Sequence, residues 1–190
     1  MSERAKRRAT HEDLTSVPER MIREIIGGEL IVTPRPSKRH ARAMAALSAE
    51  LTPPYDFGRG GPGGWIILIE PEVGLGADIV VPDLAGWRSG RLPESEENSW
   101  ISIVPDWVCE VLSTGTVRTD RITKASLYRQ YGVPYLWLID PIAKTLEVFG
   151  LDAGSGTWVV RGLYGEDDKV RAEPFAEIEI ELRNLWWRRA

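Results

Sequence analysis

Three polar side chains interrupt segments that otherwise read as apolar or structured: Asp83, Glu110 and Lys124. Asp83 follows the stretch "DIVVP", where the chain leaves a strand, and Glu110 sits in the middle of the strand formers "WVCEVL". Strand side chains alternate between faces, so Glu110 shares its face with Val108 and Leu112. An ionised carboxylate buried there is costly unless a cation or a proton meets it. Lys124 follows Asp120 by four residues in a helical segment, which puts the two on one helix face. Neighbouring strands with Asp83 and Glu110 on one face would bring two carboxylates within reach of a divalent ion. Hard oxygen donors of this kind suit Mg²⁺ or Mn²⁺, which keep several waters and add phosphate oxygens. A lysine beside such an ion can orient a water or balance charge on a phosphorane-like transition state. Together these are an apparatus for phosphodiester hydrolysis.

Each part also has a simpler explanation. Pro82-Asp83 can be a turn, Glu110 can pair with a basic residue on a packed helix, and Asp120 and Lys124 can be a surface pair. Two further residues stand near this set. Glu70 ends "WIILIE", with its facing relative to Asp83 left open, and His40 is one of only two histidines. His40 reads equally as a helix-surface residue and as a member of the site.

The elements that must position these groups are legible in outline. "SVPERMIREIIGGELIVTPRPS" reads as a short helix or turn that passes through Gly27-Gly28 into a strand over 29–33. "SKRHARAMAALSAEL" predicts a helix with Ser37 as N-cap, stopped by Pro53-Pro54. "GRGGPGG" is a flexible loop without the Lys-Ser/Thr ending of a phosphate cradle. "WIILIEPEVGL" and "ADIVVPDLAGW" predict an antiparallel strand pair, followed by a polar loop over 88–100 and a central strand over 107–112. "TVRTDRITKASLYRQYG" predicts a second amphipathic helix, with Ile122, Ala125, Leu127 and Tyr128 as its apolar side. "YLWLID" and "TLEVFGL" predict a hairpin, "TWVVRGLY" another strand, and the strict alternation of "EIEIEL" an edge strand with Ile178, Ile180 and Leu182 inward. The order predicts an α+β (α/β-like) domain, a mixed β-sheet flanked by helices. Residues 1–13 read as a flexible basic leader and 14–190 as one domain.

The 190 residues, 43% of them hydrophobic, suffice for one core. A single cysteine excludes an internal disulfide framework, and Cys109 reads as a small buried hydrophobe. No apolar run is long enough to span a membrane, and the single cysteine makes a reducing cytoplasm the expected location. The net charge of −4 argues against broad nucleic-acid binding, yet basic residues cluster locally. Lys38 and Arg39 lie in one cluster and Arg118 and Arg121 in another, and both clusters are candidate DNA contacts. Trp186-Trp187 suggests docking onto the sheet or against a second subunit.

The motifs "VPDLAGW", "PDWVCEVLS", "DRITK" followed by "YRQYGVPYLWLIDP", and upstream "REIIGGELIV" with later Pro-Ser and His resemble the Uma-type restriction endonuclease family of the PD-(D/E)XK nuclease-like superfamily. The resemblance runs from about Val17 to the C-terminal Leu-Trp. It implies a restriction-endonuclease-like core, with Asp83 as the Asp of the Pro-Asp element and Glu110 as the acid of the next strand. Glu24 matches the family's early glutamate, which can help hold a metal-bound water. The superfamily expects lysine two residues after the acid, where this chain has Leu112, and Lys124 from the helix takes that place. Ser113-Thr114-Gly115-Thr116 stands where relatives read Ser-Pro-Ser-Thr. The expected function is a Mg²⁺- or Mn²⁺-dependent endonuclease acting on DNA, with homodimerisation by analogy. The alternatives are a nuclease-fold module that only binds nucleic acid or protein and, on the glycine loop alone, a nucleotide enzyme.

Overall fold

The computed structural model describes residues 7–18, 20–93 and 100–187. The chain begins with a helical turn, α1 (His11–Thr15), followed by a hairpin of β1 (Ile22–Ile26) and β2 (Glu29–Thr33). The hairpin is where the sequence expectation fails first, because "MIREII" is a strand and not a helix. Gly27 and Gly28 have φ of 63° and 80°, and two consecutive positive-φ residues make the tight turn that joins antiparallel strands. The turn closes Ile26 onto Glu29 and sets Glu24 opposite Ile31.

The expected leader over 1–13 is also corrected. Residues 1–6 lie outside the described residues, but 7–13 pack on the body. The Ala9 N–H donates to the Gly28 carbonyl at 2.9 Å, the Asp13 carboxylate accepts the Thr10 N–H at 2.7 Å, and Leu14 is buried with Ile25 and Ile79.

Helix α2 (Lys38–Leu51) starts at Ser37, whose hydroxyl accepts the His40 N–H. It ends at Leu51 as expected, and Pro53 and Pro54 follow in a different winding. Lacking N–H groups of their own, they sit at the start of a wider π-helical turn (Thr52–Asp56), whose last carbonyl partner is Thr52 to Phe57 N–H at 3.1 Å. The glycine run folds back on this turn: the Arg59 and Gly63 amides donate to the Pro53 and Pro54 carbonyls. Those two amides are therefore unavailable to a phosphate.

The expected antiparallel pair is real but divided. Pro71 and Pro82 break both long segments, giving β3 (Trp65–Ile69), β4 (Val73–Leu75), β5 (Asp78–Val80) and β6 (Leu84–Arg88). β3 pairs with β6 in one sheet and β4 with β5 in another. The chain then continues through β7 (Trp107–Val111), a π-helical turn (Thr119–Lys124), α3 (Ala125–Gln130), β8 (Tyr135–Asp140), β9 (Thr145–Asp152) and β10 (Thr157–Gly165). The main sheet has the order β10-β9-β8-β7-β6-β3, and its one parallel pair is β7 with β8. The smaller sheet is β2-β1-β5-β4. Of the polar loop expected over 88–100, residues 94–99 lie outside the described residues. "EIEIEL" buries Ile180 and Leu182 as its alternation requires. Only Ile180–Glu181 (β12) is strand, however, paired with Lys169–Val170 (β11), and Leu182–Asn184 closes into a 3₁₀ turn.

Alternation along β7 separates two cores. Trp107, Cys109 and Val111 face α2, with Leu47, Leu51 and Phe175. Here Trp65, Trp107 and Trp137 surround Phe175 at ring-centroid distances of 4.8, 4.9 and 5.7 Å. Gly86 on β6 permits this, because a Cβ there would lie 3.2 Å from both the Trp65 and Trp107 rings. Val108 and Leu112 face α3, with Leu127, Tyr128 and Leu136. Ile122, expected on this apolar side, is instead 62% exposed, because the π-turn rotates it outward. Glu110 points toward the α3 side as well.

Candidate functional site

Six charged or histidine side chains are buried among the described residues: Glu24, His40, Asp83, Glu110, Asp120 and Lys124. All six line one pocket of about 50 Å³, whose rim carries Thr33, Pro34, Pro36, Ser113 and Thr116. Every element break described above contributes. β1 supplies Glu24, the first turn of α2 supplies His40, and the π-turn supplies Asp120 and Lys124. The Pro82 break between the two sheets supplies Asp83. In the β6–β7 register Leu84 lies opposite Cys109, so one residue further Asp83 lies across from Glu110.

The contacts are specific. The Lys124 ammonium donates to Glu110 Oε1 at 2.7 Å and to Glu24 Oε1 at 3.0 Å, and to the Val81 carbonyl at 3.3 Å. The Tyr128 hydroxyl donates to Glu110 Oε1 at 2.5 Å. Glu24 Oε1 also accepts the Val81 N–H at 2.8 Å, tying the hairpin to the break. Asp83 is held on both oxygens, by the Val111 N–H at 2.7 Å and by His40 Nε2 at 2.7 Å. A carboxylate can only accept, so Nε2 carries the imidazole proton, and buried Nδ1 has no partner. Ser113 and Thr116 share a hydrogen bond of 3.0 Å, and Thr116 holds Asp120. The altered Ser-Thr-Gly-Thr loop is thus closed by its own hydroxyls.

The electrostatics follow from one lysine facing four carboxylates. Burial pushes Glu110 well above the usual carboxylate range. Lys124 opposes that shift, and Asp120, Asp83 and Glu24 add to it. Burial raises Asp120 in the same way, against the pull of Lys124. Burial works to lower Lys124, but Glu110 and Glu24 outweigh it and hold the ammonium well above its ordinary value. Lys124 therefore stays charged, while burial makes Glu110 and Asp120 hold protons more tightly than free acids do.

Among the described residues no three Asp, Glu, His or Cys side chains converge as a ready-made metal cage. The donor set fits the other way of holding a hard divalent ion, by one or two carboxylates with water and phosphate completing the shell. Asp83 and Glu110 are the pair that would do so, and the negative surplus of the cluster favours a cation. Of the other sequence candidates, Glu24, His40 and Asp120 join the pocket but Glu70 does not. Glu70 has φ 48° and pairs with Arg35 at 2.9 Å, because the turn before Pro71 swings it away. Arg121 is spent on Glu147 in a two-point contact of 2.9 and 2.5 Å, and Arg118 is exposed beside the π-turn. Lys38 and Arg39 flank His40 and are exposed. Tyr128 escaped the sequence reading, since its spacing marked it as core; only its position four residues after Lys124 hinted at a shared face.

A mixed sheet flanked by helices, with an acidic pair at the junction of two strands and a lysine reaching in from a helix, defines a restriction-endonuclease-like nuclease fold. The chain belongs to the Uma2 family, described as "Putative restriction endonuclease", which it matches over residues 10–184. It is also similar to the crystal structure of a "putative nuclease" from Anabaena variabilis, with a TM-score of 0.75 and 23% identity. That match covers 93% of this chain and 97% of the other, and at this identity it speaks for the fold. No curated protein matches the sequence. Among the described residues no helix is long and apolar enough to cross a membrane.

Proposed function

We propose that the chain is a Mg²⁺-dependent endonuclease that hydrolyses phosphodiester bonds of DNA. The observation that carries this reading is the convergence of all six buried charged or histidine side chains on one small pocket. A buried charge is retained against its desolvation cost only where something offsets it, and a surplus of carboxylates is of use to a cation. In this reading Asp83 and Glu110 hold the ion, which would supply Lewis-acid charge stabilisation and a more acidic water. Lys124 offers its ammonium to the oxygens of the scissile phosphate, from a position already fixed by Glu110, Glu24 and Val81 O. His40 fixes the rotamer of Asp83, and Tyr128 that of Glu110. The 2.7 Å contact of Lys124 with Glu110 supports this reading over the merely binding alternative, because it puts the lysine at the carboxylate pair.

The test is a digest of supercoiled plasmid and single-stranded circular DNA with Mg²⁺ or Mn²⁺, comparing wild type with Asp83→Asn, Glu110→Gln and Lys124→Ala. Cleavage by wild type and a loss of at least about 100-fold in each folded variant is expected, in line with removal of one charge-stabilising group. Undiminished cleavage by Asp83→Asn or Glu110→Gln protein would refute the assignment.

A further inference from the structure

A groove of about 1020 Å³ lies outside the carboxylate pocket and is lined by Lys38, Arg39, Ile142, Lys144, Arg183 and Trp187, among others. The first turn of α2 contributes to both, with Lys38 and Arg39 in the groove and His40 in the pocket. His40 points inward to Asp83, while Lys38 and Arg39, one helical turn of the same α2 terminus, point outward into the groove. The other wall, Pro141-Ile142, follows β8, the parallel neighbour of β7. The Leu112 N–H donates to the Ile139 carbonyl at 2.7 Å, so this wall follows the strand ends beside Glu110.

The floor is rigid. Trp186 is buried and its indole N–H donates to the Glu166 carbonyl at 2.6 Å. Arg42 on α2 donates to the Asn184 carbonyl at 2.8 Å, which clamps the last turn against the helix that carries Lys38 and Arg39. Trp187, 51% exposed, and Ile142, 57% exposed, then stand as an apolar wall. Asp167 also lines the groove, and the basic residues there divide into two kinds. Arg183 is paired with Glu181 and Lys144 with Glu166, whereas Lys38 and Arg39 make no ion pair with any described residue.

Two free cations facing an exposed indole match the components of an unpaired nucleotide strand, its phosphates and its base faces. A duplex presents phosphates outward and hides its base faces, so the apolar wall would gain nothing from it. Resting on the nuclease reading above, we propose that this groove holds a single-stranded segment of DNA beside the scissile phosphate. Its phosphates lie on Lys38 and Arg39, and one unpaired base stacks on Trp187.

The test is binding of a fluorescent oligothymidylate, followed by anisotropy in EDTA, so that neither cleavage nor the metal site enters. Trp187→Ala is expected to weaken binding about tenfold and Trp187→Phe to recover most of it, as loss and replacement of a stacking face would. An abasic oligomer with the same number of phosphates should bind wild type about as weakly as the oligothymidylate binds Trp187→Ala. Lys38→Ala with Arg39→Ala should flatten the salt dependence, lowering the magnitude of the log–log slope by about 1.4, since each single-strand phosphate contact contributes about 0.7. Equal binding of abasic and base-bearing oligomers, or no effect of Trp187→Ala, would overturn the proposal while leaving metal binding at Asp83 and Glu110 untouched. A Trp187→Ala protein that changes from dimer to monomer in sedimentation, with unaltered DNA binding, would assign the groove to a second copy and equally overturn it.

Discussion

Replacing Lys124 by methionine keeps most of the buried volume and removes the ammonium, with its charge and its hydrogen bond to the Val81 carbonyl. Glu110 and Glu24, which now share the ammonium at 2.7 and 3.0 Å, are then left facing each other without a cation. They need not stay ionised, and that bounds the cost. Taking one proton from solution at pH 7 onto a group that ordinarily titrates near pH 4.3 costs about 1.36 kcal/mol per unit, or about 4 kcal/mol. A proton shared by the pair caps the destabilisation there, in the range of about 3–5 kcal/mol found when one partner of a buried pair is removed. In the variant the carboxylates' folded pKa lies above the unfolded one. Their contribution is therefore intact below about pH 4.3 and is lost as pH rises toward the folded value. At pH 5 the same reasoning leaves only about 1 kcal/mol. With a Tm shift of about 2–4 °C per kcal/mol at this chain length, melting should fall by roughly 10 °C at pH 7 and by about 3 °C at pH 5. Thermal denaturation followed by far-UV circular dichroism, with wild type alongside at both pH values, reads this directly. Equal melting of variant and wild type at pH 7, or a loss as large at pH 5 as at pH 7, would refute the reasoning.

Protons and a divalent ion compete for the same carboxylates, and burial holds the Glu110 proton to higher pH than usual. Mn²⁺ affinity should therefore rise between pH 5 and 7, by up to about tenfold per unit for each proton displaced; a pH-independent titration would contradict this. Tyr128→Phe deletes a hydroxyl that donates to Glu110 at 2.5 Å. It should cost about 2 kcal/mol and roughly 4–8 °C in Tm while Mn²⁺ binding persists, since Tyr128 orients the carboxylate and does not hold the ion. Phe175→Ala empties the centre of the tryptophan cluster on the other face of the sheet. A loss of about 3–5 kcal/mol is expected in urea unfolding, with metal affinity unchanged in the folded protein, and a change in affinity would show that the two cores are not independent.

The site was more legible than the frame around it. Glu110 betrayed itself as a lone acid on a buried strand face, and Lys124 by its four-residue offset from Asp120; both signals are local periodicities. The family pattern added Glu24, which has no local signal of its own. What escaped depended on tertiary context. "MIREII" carries helix-forming Arg and Glu, yet it is a strand, because the Gly27-Gly28 turn supplies β2 as a partner and Ile25 pairs with Ile79 across the small sheet. The strand pair read from the sequence runs straight through Pro71 and Pro82, whereas these prolines transfer the chain between two sheets and thereby place Asp83 at the junction. Glu70 was lost as a ligand through a single positive-φ turn, which no side-chain pattern announces. Ile122 fell outside the core because the helix begins as a π-turn, and the wider winding shifts every face assigned from a 3.6-residue period.

The central claim is that Asp83 and Glu110 form a divalent-ion site, and calorimetric titration of Mn²⁺ tests it without a guess at the DNA substrate. The account predicts binding to wild type that disappears in both Asp83→Asn and Glu110→Gln, with circular dichroism showing each variant folded. Undiminished Mn²⁺ binding in either variant, or none in folded wild type at pH 7 and above, would contradict it.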